Sequence, residues 1–246
     1  MKRSINSLIG FTMGATDGEI GKVKEFYFDD ETWTIRYLIV ETGSWLFGRE
    51  VLISPQALLA PDWEDKIFPI NLTKEQVKNS PDIDTKQPVS RQEEIRLQNF
   101  YEWTTYWGGG FYGGGMPLPM NHAKLEEKEN LSIKKAKGDI HLRSSAVVIG
   151  YKIKADYGEI GTVEDFLIDD SSWKIDFMLV DTGDLLPGKK VLISPSWIKE
   201  IDWETSAVTV NATVDSIKNS PEYDHTQPLT DAYSKLLHNY YRTPVY

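Results

Sequence analysis

Shifted by 140 residues, the sequence lies over itself without a gap, and this internal duplication constrains the chain more than any other feature. Arg3-Ser4 meets Arg143-Ser144, and the match runs on to Asn99 and Tyr101 over Asn239 and Tyr241. About 40 of the 99 paired positions are identical, against about 6% for unrelated stretches of average composition. Gly18-Glu19-Ile20-Gly21 returns as Gly158-Glu159-Ile160-Gly161, and Asp29-Asp30 with Trp33 as Asp169-Asp170 with Trp173. Val51-Leu52-Ile53-Ser54-Pro55 returns as Val191-Leu192-Ile193-Ser194-Pro195, Asp62-Trp63-Glu64 as Asp202-Trp203-Glu204, and Lys78-Asn79-Ser80-Pro81 as Lys218-Asn219-Ser220-Pro221. Self-similarity at a fixed long period marks repeated folding units. Two long copies make a tandem pair of domains, residues 1–101 and 143–246, rather than a solenoid.

The segment between them, residues 102–142, has no counterpart. It runs from Trp103-Thr104-Thr105-Tyr106-Trp107 through the glycine-rich stretch Gly108 to Gly115, which holds Phe111 and Tyr112, to a charged run from Lys124 to Lys137. Glycine runs have nothing to pack and much entropy to lose, so this reads as a linker. Its aromatics are unusual for a spacer: Trp103, Trp107, Phe111 and Tyr112 either meet a partner or strap the chain's own domains.

Composition closes several routes. With no cysteine, disulfide scaffolds, thiol nucleophiles and cysteine-ligated metal centres are out. A net charge of −10, shared by both copies, argues against nucleic acid, which needs basic surface to displace phosphate counterions. The start, Met1 to Gly10, has a basic pair but no apolar leader region, and no stretch approaches the roughly 18 apolar residues of a membrane helix. The expectation is a cytoplasmic protein without a membrane span, or one lying peripherally on the inner membrane.

Within each copy the pattern is β. Ile35 to Val40 and its twin Ile175 to Val180 are short, β-branched and aromatic, bounded by turn formers. Ile20 to Phe28 reads as a second strand whose apolar phase slips between Val23 and Phe26, which predicts a bulge. Asp29 to Thr32 supplies a hairpin turn. Thr73-Lys74-Glu75-Gln76 has the form of a capping box, predicting a short helix from about Lys74 to Asn79 that stops before Pro81. Many short strands with little helix predict an all-β fold with short helices: two tandem small closed barrels of about six strands, each with a trailing helix, since closure removes exposed edges.

Gly-Glu-Ile-Gly, a strand ending Asp-Asp, Trp33-Thr34-Ile35-Arg36-Tyr37-Leu38-Ile39-Val40-Glu41-Thr42-Gly43 and then Val-Leu-Ile-Ser-Pro, in that order and spacing, resemble the PRC-barrel family in both copies. The family is named after the cytoplasmic domain of the photosynthetic reaction centre H subunit. The resemblance implies a small barrel of about six strands that docks on protein partners, with no shared catalytic residue. Unlike the H subunit, the chain has no membrane helix in its sequence.

The chemical motifs are sparse. Val180-Asp181-Thr182-Gly183, with Val40-Glu41-Thr42-Gly43 at the matching place, offers Glu41 and Asp181 as the carboxylate pair of an aspartic-type hydrolase. Against that, glutamate spoils a symmetric dyad, and a strand ending in a threonine-glycine turn explains the same residues. Asp29-Asp30 and Asp169-Asp170 could ligate a metal, but read more simply as turn formers. His122, His141, His225 and His238 show no ligand spacing, and no cofactor is expected. Trp45-Leu46-Phe47, with the twin Leu185-Leu186-Pro187, lies between two glycines. An apolar loop tip of this kind suggests a contact surface for a partner or for the other barrel. The functional expectation is a non-enzymatic adaptor or assembly protein for protein partners, with self-association open. The alternatives are an accessory of a membrane electron-transport complex and, remotely, the hydrolase.

Overall fold

Each copy opens with a three-residue strand and one helical turn, β1 (Lys2–Ser4) and α1 (Ile5–Leu8), where the Ser4 hydroxyl caps the turn by accepting from the Ser7 amide at 3.2 Å. There follow β2 (Thr12–Ala15), the long β3 (Gly18–Asp29), β4 (Thr34–Glu41), β5 (Glu50–Ile53) and β6 (Ile67–Pro69). Two helices close the first half, α2 (Lys74–Lys78) and α3 (Arg91–Tyr101). The second half repeats this order as β7 (Leu142–Ser144), α4 (Ser145–Val148), β8 (Lys152–Asp156), β9 (Gly158–Asp169), β10 (Ile175–Asp181), β11 (Lys190–Ile193), β12 (Ile198–Asp202), β13 (Ala207–Thr213), α5 (Val214–Lys218) and α6 (Asp231–Arg242). This is a computed structural model, and it describes residues 1–83, 89, 91–104, 142–156, 158–185, 187–224 and 229–242.

The predicted local elements are present. The register between β3 and β4 slips between Val23 and Glu25, where the apolar phase broke, and β9 slips against β10 at the matching place. Thr73 and Gln76 form the capping box of α2, and the Asp29 carboxylate accepts from the Thr32 amide and hydroxyl, both at 2.7 Å, to shape the hairpin turn. The unbroken apolar run of β4 is explained by burial on both faces. Ile35, Leu38 and Val40 enter the main core, while Tyr37 and Ile39 join Leu52 and Leu97 of α3 beneath the helix. Gly21 and Gly161 are required by a close approach: a Cβ there would lie 2.0 Å from the Glu41 carbonyl oxygen and 1.9 Å from that of Asp181.

The chain is mostly β, in two mixed sheets of six and seven strands with a few short helices. One follows the order β5-β4-β3-β2-β6 and the other β11-β10-β9-β8-β13-β12, with the β2–β6 and β8–β13 pairs parallel. Each sheet takes one further strand from the opposite half. β1 pairs with β9, Lys2 opposite Asp169 and Ser4 opposite Leu167, and β7 pairs with β3, Leu142 opposite Asp29 and Ser144 opposite Tyr27.

The expected mostly β fold of two strand-rich copies with short helices is the one seen, and the exchange adds that neither sheet is self-contained. The opening strand of each copy crosses to the other, and the main core follows it. Ile5, Phe28 and Phe68 share one continuous cluster with Phe166, Ile168 and Ile193. Phe28 meets Phe166 at 5.7 Å, and Trp173 reaches Phe26 and Phe68 at 6.4 and 5.9 Å. At the centre of the seam the two hairpins bond each other reciprocally: the Ile35 amide donates to the Trp173 carbonyl at 2.8 Å, and the Ile175 amide to the Trp33 carbonyl at 2.7 Å. The repeated tryptophans Trp33 and Trp173 thus serve the junction as well as their own copies.

Candidate docking surface

Between β4 and β5 the chain makes a six-residue loop from Gly43 to Gly48, and both glycines have positive φ, 61° and 72°. The Thr42 hydroxyl donates to the Arg49 carbonyl at 2.7 Å and the Gly48 amide to the Gly43 carbonyl at 2.6 Å, which closes the loop at its base. Thr182 makes the same bond to the Lys189 carbonyl. The local-turn explanation of the two threonine-glycine motifs is therefore the one seen. Arg49 ties the loop to its surroundings by donating to the carbonyls of Lys78 at 3.1 Å and of Ser80 and Pro81 at 2.7 Å, just past the end of α2. Lys189 does the same past α5, reaching the Lys218 and Ser220 carbonyls at 2.6 and 2.8 Å. A cation on orphan helix-end carbonyls is a favourable cap.

On this frame the three apolar residues of the loop separate. Leu46 turns inward and is buried in the core, so it is not a contact residue. Trp45 is half-buried and braces the loop, its indole N–H donating to the Ile20 carbonyl at 2.6 Å, with the Lys74 ammonium 4.7 Å from the ring centre. Phe47 stands 98% exposed. Its backbone is left-handed, φ 56° and ψ 30°, a conformation that costs a bulky residue about 1 kcal/mol or more. Beside the loop lies a cleft of about 360 Å³, lined by Glu19, Ile20, Lys22, Glu41, Thr42 and Trp45 among others. Its mixture of both charges with apolar wall suits a stretch of polypeptide.

The matching loop of the second copy is described only in part. Leu185 is half-buried against the core, Pro187 replaces Phe47, and Leu186 lies outside the described residues. Trp103 stacks on Tyr101 at 4.3 Å and packs on the chain's own core, its neighbour Thr104 held by two hydrogen bonds to Gln56 at 3.0 and 3.1 Å. Trp107, Phe111 and Tyr112 lie outside the described residues, as do His122, His141 and His225. His238 packs between Phe177 and Trp197 at 5.6 and 5.5 Å.

The structure does not bring Glu41 and Asp181 together. An antiparallel bridge joins Thr34, the first residue of β4, to Lys174, just before β10, and the two strands leave it in opposite directions. Glu41 and Asp181 close the far ends of the two strands, each seven residues from that bridge, or about 23 Å along its own strand at about 3.3 Å per residue. Carboxylates at opposite ends of diverging strands are not placed to share a proton, so the geometry lends the hydrolase expectation no support. Asp30 and Asp170 serve the fold instead, each holding the arginine of the exchanged strand, Arg143 to Asp30 at 2.7 Å and Arg3 to Asp170 at 2.8 Å. The arginines also lie over tryptophan rings, Arg3 on Trp63 at 3.4 Å and Arg143 on Trp203 at 3.9 Å. Among the described residues no cluster of three or more histidine, aspartate or glutamate side chains could hold a metal ion.

One feature left only a faint trace in the sequence. The Tyr37 hydroxyl donates to Glu94 at 3.3 Å and accepts from the Gln98 amide at 3.2 Å, all three buried beneath α3. This network adjoins a smaller cleft of about 160 Å³ at the seam, where Gln98 and Arg36 face Ser172 and Trp173 of the second half. Polar residues on the inner face of α3 were its only sequence sign.

Among curated proteins, none matches the chain. The family model of the PRC-barrel domain matches residues 2–77, so the first half carries a PRC-barrel domain; the match does not extend to the second half. No helix among the described residues is long and apolar enough to cross a membrane.

Proposed function

We propose that this chain is a non-enzymatic adaptor or assembly protein built from two PRC-barrel copies, and that the loop Gly43 to Gly48 is where it docks a protein partner. A PRC-barrel domain at residues 2–77 supports an interaction role in general. The observation that carries the finer reading is Phe47: an aromatic ring wholly in water, on a left-handed backbone, at the tip of a loop held rigid from beneath. A protein that needed this loop only to connect β4 and β5 would do better with a polar residue or glycine there. Rigid aromatic anchors lose little entropy on binding and are enriched at interface hot spots. The adjoining cleft would receive the polypeptide that follows the anchor point.

The test is a photo-reactive phenylalanine analogue at position 47, cross-linked in native cells, compared with the same probe at exposed Leu59. The expected result is one adduct of defined mass from position 47, lost from the tagged Phe47→Ala protein's co-purifying set while its melting temperature holds. Equal labelling from both positions, or an unchanged co-purifying set, would remove the loop from the proposal.

A further inference from the structure

Contacts across the seam recur 140 residues on, as in a two-fold dimer whose subunits have been joined end to end. Arg3, Asp170 and Trp63 on one side have their counterparts in Arg143, Asp30 and Trp203 on the other. The hydroxyl of Ser4 donates to Asp165, and that of Ser144 to Glu25. Self-complementary contacts of this kind would let either half pair with the other half or with a second copy of itself.

Among the seam positions that differ between the halves, two supply a charge pair that has no counterpart on the other side. Lys2 in the first half has Leu142 as its twin, and Arg36 has Asp176. Lys2 lies 3.0 Å from Asp169 and also bonds Asp176, a cation between two carboxylates of the opposite half. Leu142 is 2% exposed and packs with Tyr27, Tyr37, Ile39 and Leu52.

We infer that Lys2 with Asp176, set against Leu142 with Arg36, is a pairing key by which the first half accepts the second half and rejects another copy of itself. Two first halves on the same seam would set Lys2 opposite Asp29, the twin of Asp169, but among Tyr27, Tyr37 and Ile39 and with Arg36 where Asp176 stands. Two second halves would lay Leu142 against Asp169 and Asp176 and leave both carboxylates without their cation. The first wrong pairing puts two cations side by side and the second leaves two carboxylates without one, and like charges or unpaired charges in partly buried sites are how interfaces discriminate between otherwise similar partners. The contacts identical in both copies supply affinity and are blind to the choice.

The test starts from the full chain with a protease site placed between residues 118 and 124, cleaved after folding. The cut protein is unfolded in denaturant, refolded, and weighed by native mass spectrometry, which resolves like from unlike pairs. Unlike pairs should exceed like pairs by at least tenfold. The variant Lys2→Leu with Asp176→Arg makes both seats apolar and both opposing residues cationic, and should re-pair statistically, near 1:2:1. Should that variant not fold, Leu142→Lys with Arg36→Asp equalises the halves in the other direction and gives the same readout. Statistical pairing in the parent, halves that stay apart on refolding, or unlike-only pairing in the equalised variants would each overturn the inference.

Discussion

Phe47 combines two costs at one residue, a ring in water and a left-handed backbone. Phe47→Gly should therefore stabilise the protein by about 1 kcal/mol, a rise of about 2–4 °C in melting temperature for a chain of this size. No change or a loss would mean the ring contributes to the fold. Gly21 is the opposite case. With no room for a Cβ against the Glu41 carbonyl, Gly21→Ala should cost about 3 kcal/mol or more, in the range of severe backbone lesions, measured by denaturant titration. Asp165 is a buried carboxylate whose affinity for its proton is raised by desolvation, against the opposing bonds from Ser4, Phe166 and Asn6. A raised acid binds its proton more tightly folded than unfolded. Its contribution is therefore best at acid pH and is lost as pH rises from about 4 through its raised value. Asp165→Asn keeps acceptors for both amides and turns the other atom into a donor for Ser4. It should gain about 1 kcal/mol at neutral pH and lose that advantage as pH falls below 4. An advantage that persists unchanged in acid would show that ionisation is not its source.

Elements divide according to how local their causes are. The α2 capping box could be read directly, because Thr73 and Gln76 satisfy each other's backbone within four residues; Thr73→Ala should cost about 1 kcal/mol, seen as a lowered midpoint. The bulge in β3 was legible because both flanking residues must be buried while the count between them is wrong for a flat strand. The partner of β1 was not legible. Arg3 finds in Asp170 the same chemistry it would find in Asp30, so a duplicated sequence describes the exchanged and unexchanged pairings in identical terms. The loop from Gly43 to Gly48 was half legible. Its glycines and apolar tip marked it, but the inward turn of Leu46 and outward display of Phe47 depend on the left-handed backbone that Phe47 adopts just before Gly48. Arg49 was missed, although lysine at the twin position and the repeated Lys-Asn-Ser-Pro that both cations grip were visible signals.

At the scale of the molecule, one core runs through both halves, so the halves should not melt separately. Calorimetry should show a single transition, and Asp170→Ala, though it lies in the second half, should lower the midpoint for probes in either half alike. Two resolved transitions would show that the seam is weaker than the copies it joins. The crossing strands also put an order on how the protein comes into being. On a ribosome, the edge that Lys2 to Ser4 complete, Leu167 to Asp169, is made more than 160 residues after them. Until those residues are made the first half holds an unpaired β1, and until Leu142 to Ser144 are made, a bare edge along Tyr27 to Asp29. A nascent chain in that condition is open to whatever strand passes by, and crowded polysomes would supply many.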